Sequence, residues 1–475
     1  MLASRRAAAA LTIGAGVLAS VAVPPPAGAT PQAPRAPHAH VGSSGAGDPY
    51  FPRQGNGGYN VRHYKLAIAY RPKGHHLRGV AKITARATEA LSRFDLDLRR
   101  NLHVSSVKVN GRAARFRQPA DLVQELVITP KKALAKGRRF VVVVRYAGVA
   151  KPITDPDGSL DGFIPTDDGA FVASEPQGSP TWFPVNDTPR DKATYSVSIT
   201  VPKRLVAVSN GRHTGTRTHG RFRTWSWRLA QPVSSYLVTA TIGRFHVTTG
   251  KTKKGVRYFI AVDPREAKAK TVLKKLPAIV DYFTKIYGRY PFSSTGAIVD
   301  HAPNVGYALE TASRPLFDSA PDIATLSHEL AHQWFGDEVT LRRWRDIWLN
   351  EGFAEFSSWL WDEHSGGKTA AQHLRDLLAK PASDADEWLP APGNPGAADE
   401  IFADSVYDRG AGTLEALRQK LGNRVFFKIL RGWAAKHRYG NATVGQFTAY
   451  AAAVSHRDLT AFFDNWLYRA AKPTS

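Results

Sequence analysis

His328 and His332 stand four residues apart, and Glu329 directly follows the first of them. On an α-helix that spacing returns to nearly the same face, one turn along. Two imidazoles then converge on a point just off the helix surface, as two ligands of a tetrahedral Zn²⁺ do. Glu329 lies beside such a metal without binding it, which is the arrangement of a metallopeptidase base. A third ligand is required. Glu351, in Asn350-Glu351-Gly352, is the candidate. A His₂Glu site leaves one position for water and lowers that water's pKa to about 7. Glu329 can then accept the water's proton and later deliver it to a leaving amine. The alternative is an ordinary surface helix with two solvated histidines.

The elements around these residues decide between the two readings. From Thr325 the chain reads as a helix, with Leu326, Leu330 and Trp334 as a buried stripe at four-residue spacing. A second helical segment, Trp348 to Trp361, carries Glu351 at its start. Helix, loop and returning helix bring Glu351 onto the histidine pair. Glu355, one turn further, could orient a ligand histidine, but reads as a surface residue.

Helical periodicity continues through the second half, from Ala267 to Tyr287 and in Gly412–Leu421, Arg424–Ala434 and Leu459–Tyr468. Short strands are expected at Phe259–Val262 and Ala297–Val299. The first half is different. Tyr64, Leu66, Ile68 and Tyr70 alternate with polar or small residues, as do Tyr195, Val197, Ile199 and Val201. Phe140–Val144 and Tyr236–Ile242 read as further strands, and Asn110-Gly111, Asp157-Gly158 and Asn210-Gly211 as turns. The fold class expected is therefore multidomain α+β: an all-β domain over 48–248, then an α+β domain over 249–475. Residues 30–47, rich in Pro, Gly, Ala, His and Ser, read as a flexible linker.

Residues 1–29 read as a secretory signal. Arg5 and Arg6 precede an uncharged stretch from Ala7 to Val23, and Ala27-Gly28-Ala29 fits cleavage after Ala29. A secreted or extracytoplasmic protein is expected. No later segment of the sequence has 18 uninterrupted apolar residues, so stable membrane insertion is not expected. The 475 residues contain no cysteine, which excludes thiol nucleophiles, disulfides and Cys-bound metal. The net charge of +24 is spread along the chain, and no nucleic-acid motif accompanies it. A solvated basic surface accounts for it; weak attraction to anionic envelope polymers is the rival use.

The stretch from His328 to Gly352 resembles the M1 zinc aminopeptidases, the gluzincin group of aminopeptidase N and leukotriene A4 hydrolase. Their pattern is HExxH, eighteen residues and a glutamate, within the Trp-x-x-x-Trp-Leu-Asn-Glu-Gly context that Trp344–Gly352 repeats here. The likeness extends to "DPYFPRQGNGGYNVRHYKL", "SEPQGSPTWFPVNDTPRDKATYSVSITVP", "YPFSSTGAIVD" and "DLTAFFDNWLY", so it covers residues 48 to 470. It implies a saddle-like β domain followed by a thermolysin-like catalytic domain, one Zn²⁺ per chain on His328, His332 and Glu351, and peptide substrates. It implies that Tyr407, in "SVYDRGAGTLEALRQKLG", hydrogen-bonds the oxyanion, with Arg409 in the usual lysine place. It further implies that, in "NVGYALETASRPLF", Glu310 holds the substrate's amine and Gly306 and Ala308 its backbone. Leu309, Thr311 and Tyr307 depart there from the family's Met, Asn and Gly. The resemblance points to Glu175 as the second amine ligand, with Gln177 the less favoured candidate. Larger relatives continue into a helical C-terminal domain, whereas this sequence stops soon after Tyr407, which implies a short form with a more open cleft. The function expected is an exported zinc aminopeptidase. The alternatives are a zinc endopeptidase with an open cleft, or a weakly catalytic zinc-bearing protein that binds envelope polymers.

Overall fold

The computed structural model describes residues 39–474; the expected signal segment and residues 30–38 of the expected linker lie outside them. Alternation is clearest in Ala193–Pro202, where every second side chain is buried. That strand runs parallel to Tyr59–Arg71, from Thr194 opposite His63 to Thr200 opposite Ala69. Both lie in an eight-stranded sheet ordered 212–219, 222–233, 193–202, 59–71, 76–87, 139–149, 102–109 and 112–113. The Asn110-Gly111 turn closes the last hairpin, and both residues take positive φ, 50° and 79°, as a tight two-residue turn demands. A five-stranded sheet (153–154, 160–165, 170–173, 240–243, 206–209) and a four-stranded one (40–41, 91–97, 125–129, 115–117) complete the β half.

Two expectations are corrected here. Residues 39–47 are not a flexible linker. His40–Val41 pairs with Leu91–Asp97, Gly42 N donates to Arg93 O at 2.9 Å and Ala46 N to Gln54 O at 2.9 Å. Backbone pairing of this kind satisfies the chain whatever its side chains, so composition carries no sign of it. Tyr236–Ile242 is not one strand. Ser235–Leu237 forms a 3₁₀ turn, and strand pairing is confined to Ala240–Gly243. Tyr236 is drawn inward, its ring centroid 5.2 Å from that of Trp344.

The second half begins with His246–Lys251, which pairs with Arg257–Val262. The sheet order is 246–251, 257–262, 295–299, 316–317 and 308–309, so Ala308–Leu309 is an edge strand. Helices surround it: α1 (Leu276–Tyr287), α2 (Ile323–Ala331), α3 (Trp348–Ser365), α4 (Ala370–Ala379), α5 (Asp404–Leu421), α6 (Asn423–Lys436) and α7 (Val444–Ser455). The helix expected from Ala267 is interrupted. Ala269–Leu273 ends and α1 restarts with Pro277 in its first turn, the one place in a helix where a missing N–H costs nothing.

The larger of two hydrophobic cores among the described residues runs through both halves, from Tyr64 and Trp182 to Trp344 and Trp348; the smaller joins Phe171 and Trp227 to Phe259 and Leu309. Polar ties cross the junction. Trp344 N donates to Asp48 Oδ2 at 2.9 Å and Trp344 Nε1 to Gln54 Oε1 at 2.5 Å. Fully buried Arg314 donates to the carbonyls of Ser209, Gly211 and Phe259. Among the described residues no helix is long and apolar enough to cross a membrane.

Candidate active site

Helix α2 starts where Asp322 accepts the Thr325 N–H at 2.7 Å, an N-cap. Leu326 and Leu330 on α2 are fully buried and lock the rotation of the helix; Trp334, expected on the same stripe, is also fully buried but lies in the turn beyond the helix end at Ala331. His328 and Glu329 therefore lie against α3. His332 follows the last residue of α2 with helical φ and ψ. Glu351 sits in the first turn of α3. Its Oε2 lies 3.4 Å from His328 Nε2 and 3.3 Å from His332 Nε2, and all three donor atoms fall within 4.8 Å of one another.

The far nitrogens are held as well. His332 Nδ1 donates to Phe335 O at 3.0 Å, and His328 Nδ1 to Glu355 Oε2 at 3.0 Å. With Nδ1 held in this way, each ring turns its Nε2 toward the Glu351 carboxylate, the nitrogen whose lone pair a metal ion would take in place of a proton. Glu355 is thus not the surface residue expected from sequence. Its side chain is 24% exposed, and Oε1 accepts Ser358 Oγ at 3.1 Å and Trp359 Nε1 at 2.8 Å. Helix α3 places it one turn beyond Glu351, on the same face toward α2.

Burial disfavours every charge here, yet the charges are mutually arranged. Burial lowers the His332 imidazole, but Glu351 and Glu310 more than reverse that and hold it up at about 9. Burial raises Glu351, and the two histidines pull it down to about 2. Two imidazoles and a carboxylate converging on one point are a donor set for Zn²⁺. Glu329 Oε2 is buried without a hydrogen-bond partner, as befits a group waiting for a proton donor. The residues therefore fit the metal.

Glu175 and Glu310 are 135 positions apart, yet each brings a carboxylate oxygen within 4.8 Å of the other and of Glu351. Burial, then mutual repulsion, raises Glu175 well above the usual range. An ammonium between the two would relieve that. Gln333, fully buried, ties Glu310 to the segment that carries His332: its Nε2 donates to Glu310 O at 3.3 Å, and its Oε1 accepts Ser313 N at 2.6 Å. Ala308 pairs with Phe317 on one side only, which leaves the edge free for an extended peptide. Gly306 differs from expectation in one respect. Its N–H is already given to Asp318 Oδ2 at 2.8 Å, so only its carbonyl remains for a ligand. Gln177 turns away, donating to Asp155 at 2.8 Å.

These groups line a cavity of about 260 Å³. Tyr407 faces it, its ring 5.8 Å from that of His328. Burial holds the Tyr407 phenol well above its ordinary value, so it stays a donor. Val305, Tyr307, Leu309 and Phe402 form apolar walls, and Asp157 lies at the rim. Tyr307 hangs the edge strand on the β half through a 2.7 Å bond to Leu160 O. The approach of α5, which carries Tyr407, depends on glycine. A Cβ on Gly410 would stand 2.7 Å from Trp348 Cδ1 and 3.1 Å from Gly352 Cα. Arg409, fully buried, donates to the carbonyls of Trp388, Trp466, Asn465 and Arg469, so it anchors the chain end and not the site.

Comparison with known proteins agrees with this geometry. The family model described as Peptidase M1 N-terminal domain matches residues 60–237, and that described as Peptidase family M1 domain matches 313–466. Aminopeptidase M1 of Arabidopsis thaliana is 28% identical over 332 residues, 64% of this chain and 37% of the relative. Glutamyl aminopeptidase of Mus musculus is 26% identical over 351 residues, 67% of this chain and 37% of the relative. The chain thus spans little more than a third of the curated relatives it matches. A crystal structure of an M1 zinc metallopeptidase from Deinococcus radiodurans superposes with a TM-score of 0.81 at 28% identity, covering 90% of this chain and 98% of that one. A variant of the latter bound to a Tyr-Ser-Ala substrate gives the same TM-score.

Proposed function

The chain belongs to peptidase family M1, and on that premise we propose that it removes N-terminal amino acids from peptides as an exported zinc aminopeptidase. The observation that carries the reading is the placement of Glu175 and Glu310 against the His328–His332–Glu351 cluster. Peptide hydrolysis needs the cluster; restriction to the first bond needs the two acids beside it.

The residues take the following parts. Glu175 and Glu310 bind the substrate's ammonium as charge-assisted hydrogen-bond acceptors. The free edge of Ala308–Leu309 orients the peptide, and the Gly306 carbonyl is left to accept from it. Zn²⁺, held by His328, His332 and Glu351 at one ion per chain, would supply an acidified water and polarise the scissile carbonyl. Glu329 accepts the attacking water's proton on its carboxylate and passes it to the departing amine. Burial outweighs the two histidines and pushes that carboxyl up to about 7 before any metal is bound, toward the range in which a general base works at neutral pH. Tyr407 donates its hydroxyl to the carbonyl oxygen as negative charge grows there, an interaction worth about 3–4 kcal/mol in comparable sites. Glu355 and the Phe335 carbonyl keep the two imidazoles from turning.

Export rests on Arg5-Arg6, the apolar stretch to Val23 and Ala27-Gly28-Ala29. N-terminal sequencing of protein recovered outside the cell should begin at Thr30, and protein retained inside with Met1 would refute it. The catalytic reading is tested with leucine p-nitroanilide and its N-acetyl derivative. The free amine should be cleaved and the blocked one spared, with activity lost on chelation. Equal cleavage of both would make the enzyme an endopeptidase. Glu329→Gln should keep one zinc per chain while kcat falls about 10²–10⁴-fold; a variant with half the activity would refute the role of the base.

A further inference from the structure

Asp168, Asp263 and Asp300 meet away from the zinc-ligand cluster, at the junction of the two halves. Asp168 lies in the turn between Leu160–Pro165 and Ala170–Ala173. Asp263 and Asp300 each follow the last residue of two adjacent parallel strands, Arg257–Val262 and Thr295–Val299. Strands that run parallel end side by side, so residues just past them are neighbours. The three side chains belong to residues 9%, 1% and 0% exposed, and each brings a carboxylate oxygen within 4.8 Å of the other two.

The donors around them leave a gap. Asp263 is well supplied, by Arg265 N at 2.8 Å, Nε at 2.9 Å and Nη2 at 2.8 Å. Four lone-pair positions on a carboxylate then leave one free on its Oδ2. Asp168 accepts Arg244 N at 2.9 Å on Oδ2, with the Arg244 Nε of a 62% exposed side chain 3.8 Å away. Asp300 accepts only the His301 N–H, at 2.9 Å on Oδ1. Asp168 Oδ1 and Asp300 Oδ2 are buried with no hydrogen-bond partner. The nearby cations are already engaged. Arg265 is shared with Asp167 (Nη2 to Oδ1, 3.1 Å), and His301 Nδ1 is paired with Glu266 at 2.7 Å. Three buried carboxylates, one arginine bonded to Asp263, a second and largely exposed one 3.8 Å from Asp168, and two unpaired oxygens are a costly arrangement unless a cation or a proton completes it.

We propose that Asp168, Asp263 and Asp300 form a second cation site, which takes a hard, oxygen-preferring divalent ion such as Ca²⁺. A donor set of carboxylates alone, without nitrogen or sulfur, favours Ca²⁺ over Zn²⁺, so the two sites sort their metals by chemistry. Burial raises the Asp300 carboxyl well above its ordinary value, and Asp168 and Asp263 add to this against the His301 N–H; without a cation a proton would have to sit there. The ion would tie the Thr166–Gly169 turn of the β half to the catalytic sheet. Asp300 also begins the segment that leads through Val305 to Ala308–Leu309, so the site would hold the substrate-binding edge strand from behind.

The test uses the full-length, zinc-loaded protein dialysed free of other divalent ions. Calcium chloride is titrated in a calorimeter and in thermal melts. Saturable binding of one Ca²⁺ per chain is expected, with the melting temperature rising by about 3 °C at a hundredfold excess over Kd. Asp300→Asn, similar in shape and neutral, should abolish both responses; Asp168→Asn serves as the second variant if Asp300→Asn does not fold. No saturable Ca²⁺ uptake by the wild-type protein would overturn the proposal in favour of a shared proton. So would an undiminished response in the variant.

Discussion

Replacing Glu355 isolates the contribution of one hydrogen bond to the metal site. Its Oε2 holds the Nδ1–H of His328 at 3.0 Å, while Oε1 takes the Trp359 indole at 2.8 Å and the Ser358 hydroxyl at 3.1 Å. Both oxygens are thus committed to donors. Glu355→Ala frees the His328 ring to rotate or to move its proton to Nε2, the atom needed for coordination. Loss of such an outer partner typically weakens metal binding about 10–100-fold, or about 1.4–2.7 kcal/mol. Glu355→Gln should do no better, although it is nearly isosteric. Its amide has one oxygen for two sets of donors, so an N–H must face either His328 Nδ1–H or the Trp359 indole. The assay is zinc competition against a chromophoric chelator, with the melting temperature of the metal-free protein as a control for folding. The reasoning fails if both variants bind zinc within twofold of wild type, for then the orientation of His328 is set by packing against α3 and Tyr407 alone.

Glu310→Ala should raise KM for leucine p-nitroanilide at least tenfold and leave zinc content unchanged, because it removes half of the ammonium pocket and no ligand; an unaltered KM would send the amine elsewhere. Gly410→Ala should cost about 1–3 kcal/mol of stability and lower kcat while zinc affinity holds, since the added methyl drives α5 and Tyr407 from Trp348 but touches neither histidine; unchanged kcat and melting temperature would show that α5 is free to shift. Glu363 provides a test against pH. Burial raises its carboxyl, but the Arg418 guanidinium (3.2 and 3.3 Å) and Ala370 N (3.0 Å) outweigh that and hold it below 4.5. A lowered carboxylate pKa contributes stability above the unfolded value and loses it as pH falls through the folded one. Glu363→Gln should therefore be about 1 kcal/mol less stable at pH 7, and urea titrations should show that gap closing below pH 4.5; a gap constant down to pH 3 would contradict the ion pair.

What the amino-acid sequence determined by itself is the part of the site written in local geometry. His328 and His332 share a helix face because 3.6 residues make a turn, and Glu329 is beside them because it is bonded to His328. Leu326 and Leu330 fix which way that face turns. Glu351 is only one loop away, on a helix whose start is marked by Trp348. The alternation in Ala193–Pro202 was equally plain, since a half-buried strand must repeat every second residue. Glu175, Glu310 and Tyr407 came from likeness to a family, for nothing local distinguishes them from other acids and tyrosines. Tertiary structure decided the rest. Glu355 became a support of His328 only when α3 packed on α2. Gln333 found Glu310, and Tyr307 found Leu160, across separations that no periodicity spans. The three aspartates met because two strands ended together beneath a turn from the other half. Residues 39–47 were ordered by backbone pairing, which is blind to side-chain type. Covalent neighbours and helix turns are legible in one dimension; contacts that depend on how separate elements pack exist only once the core has closed.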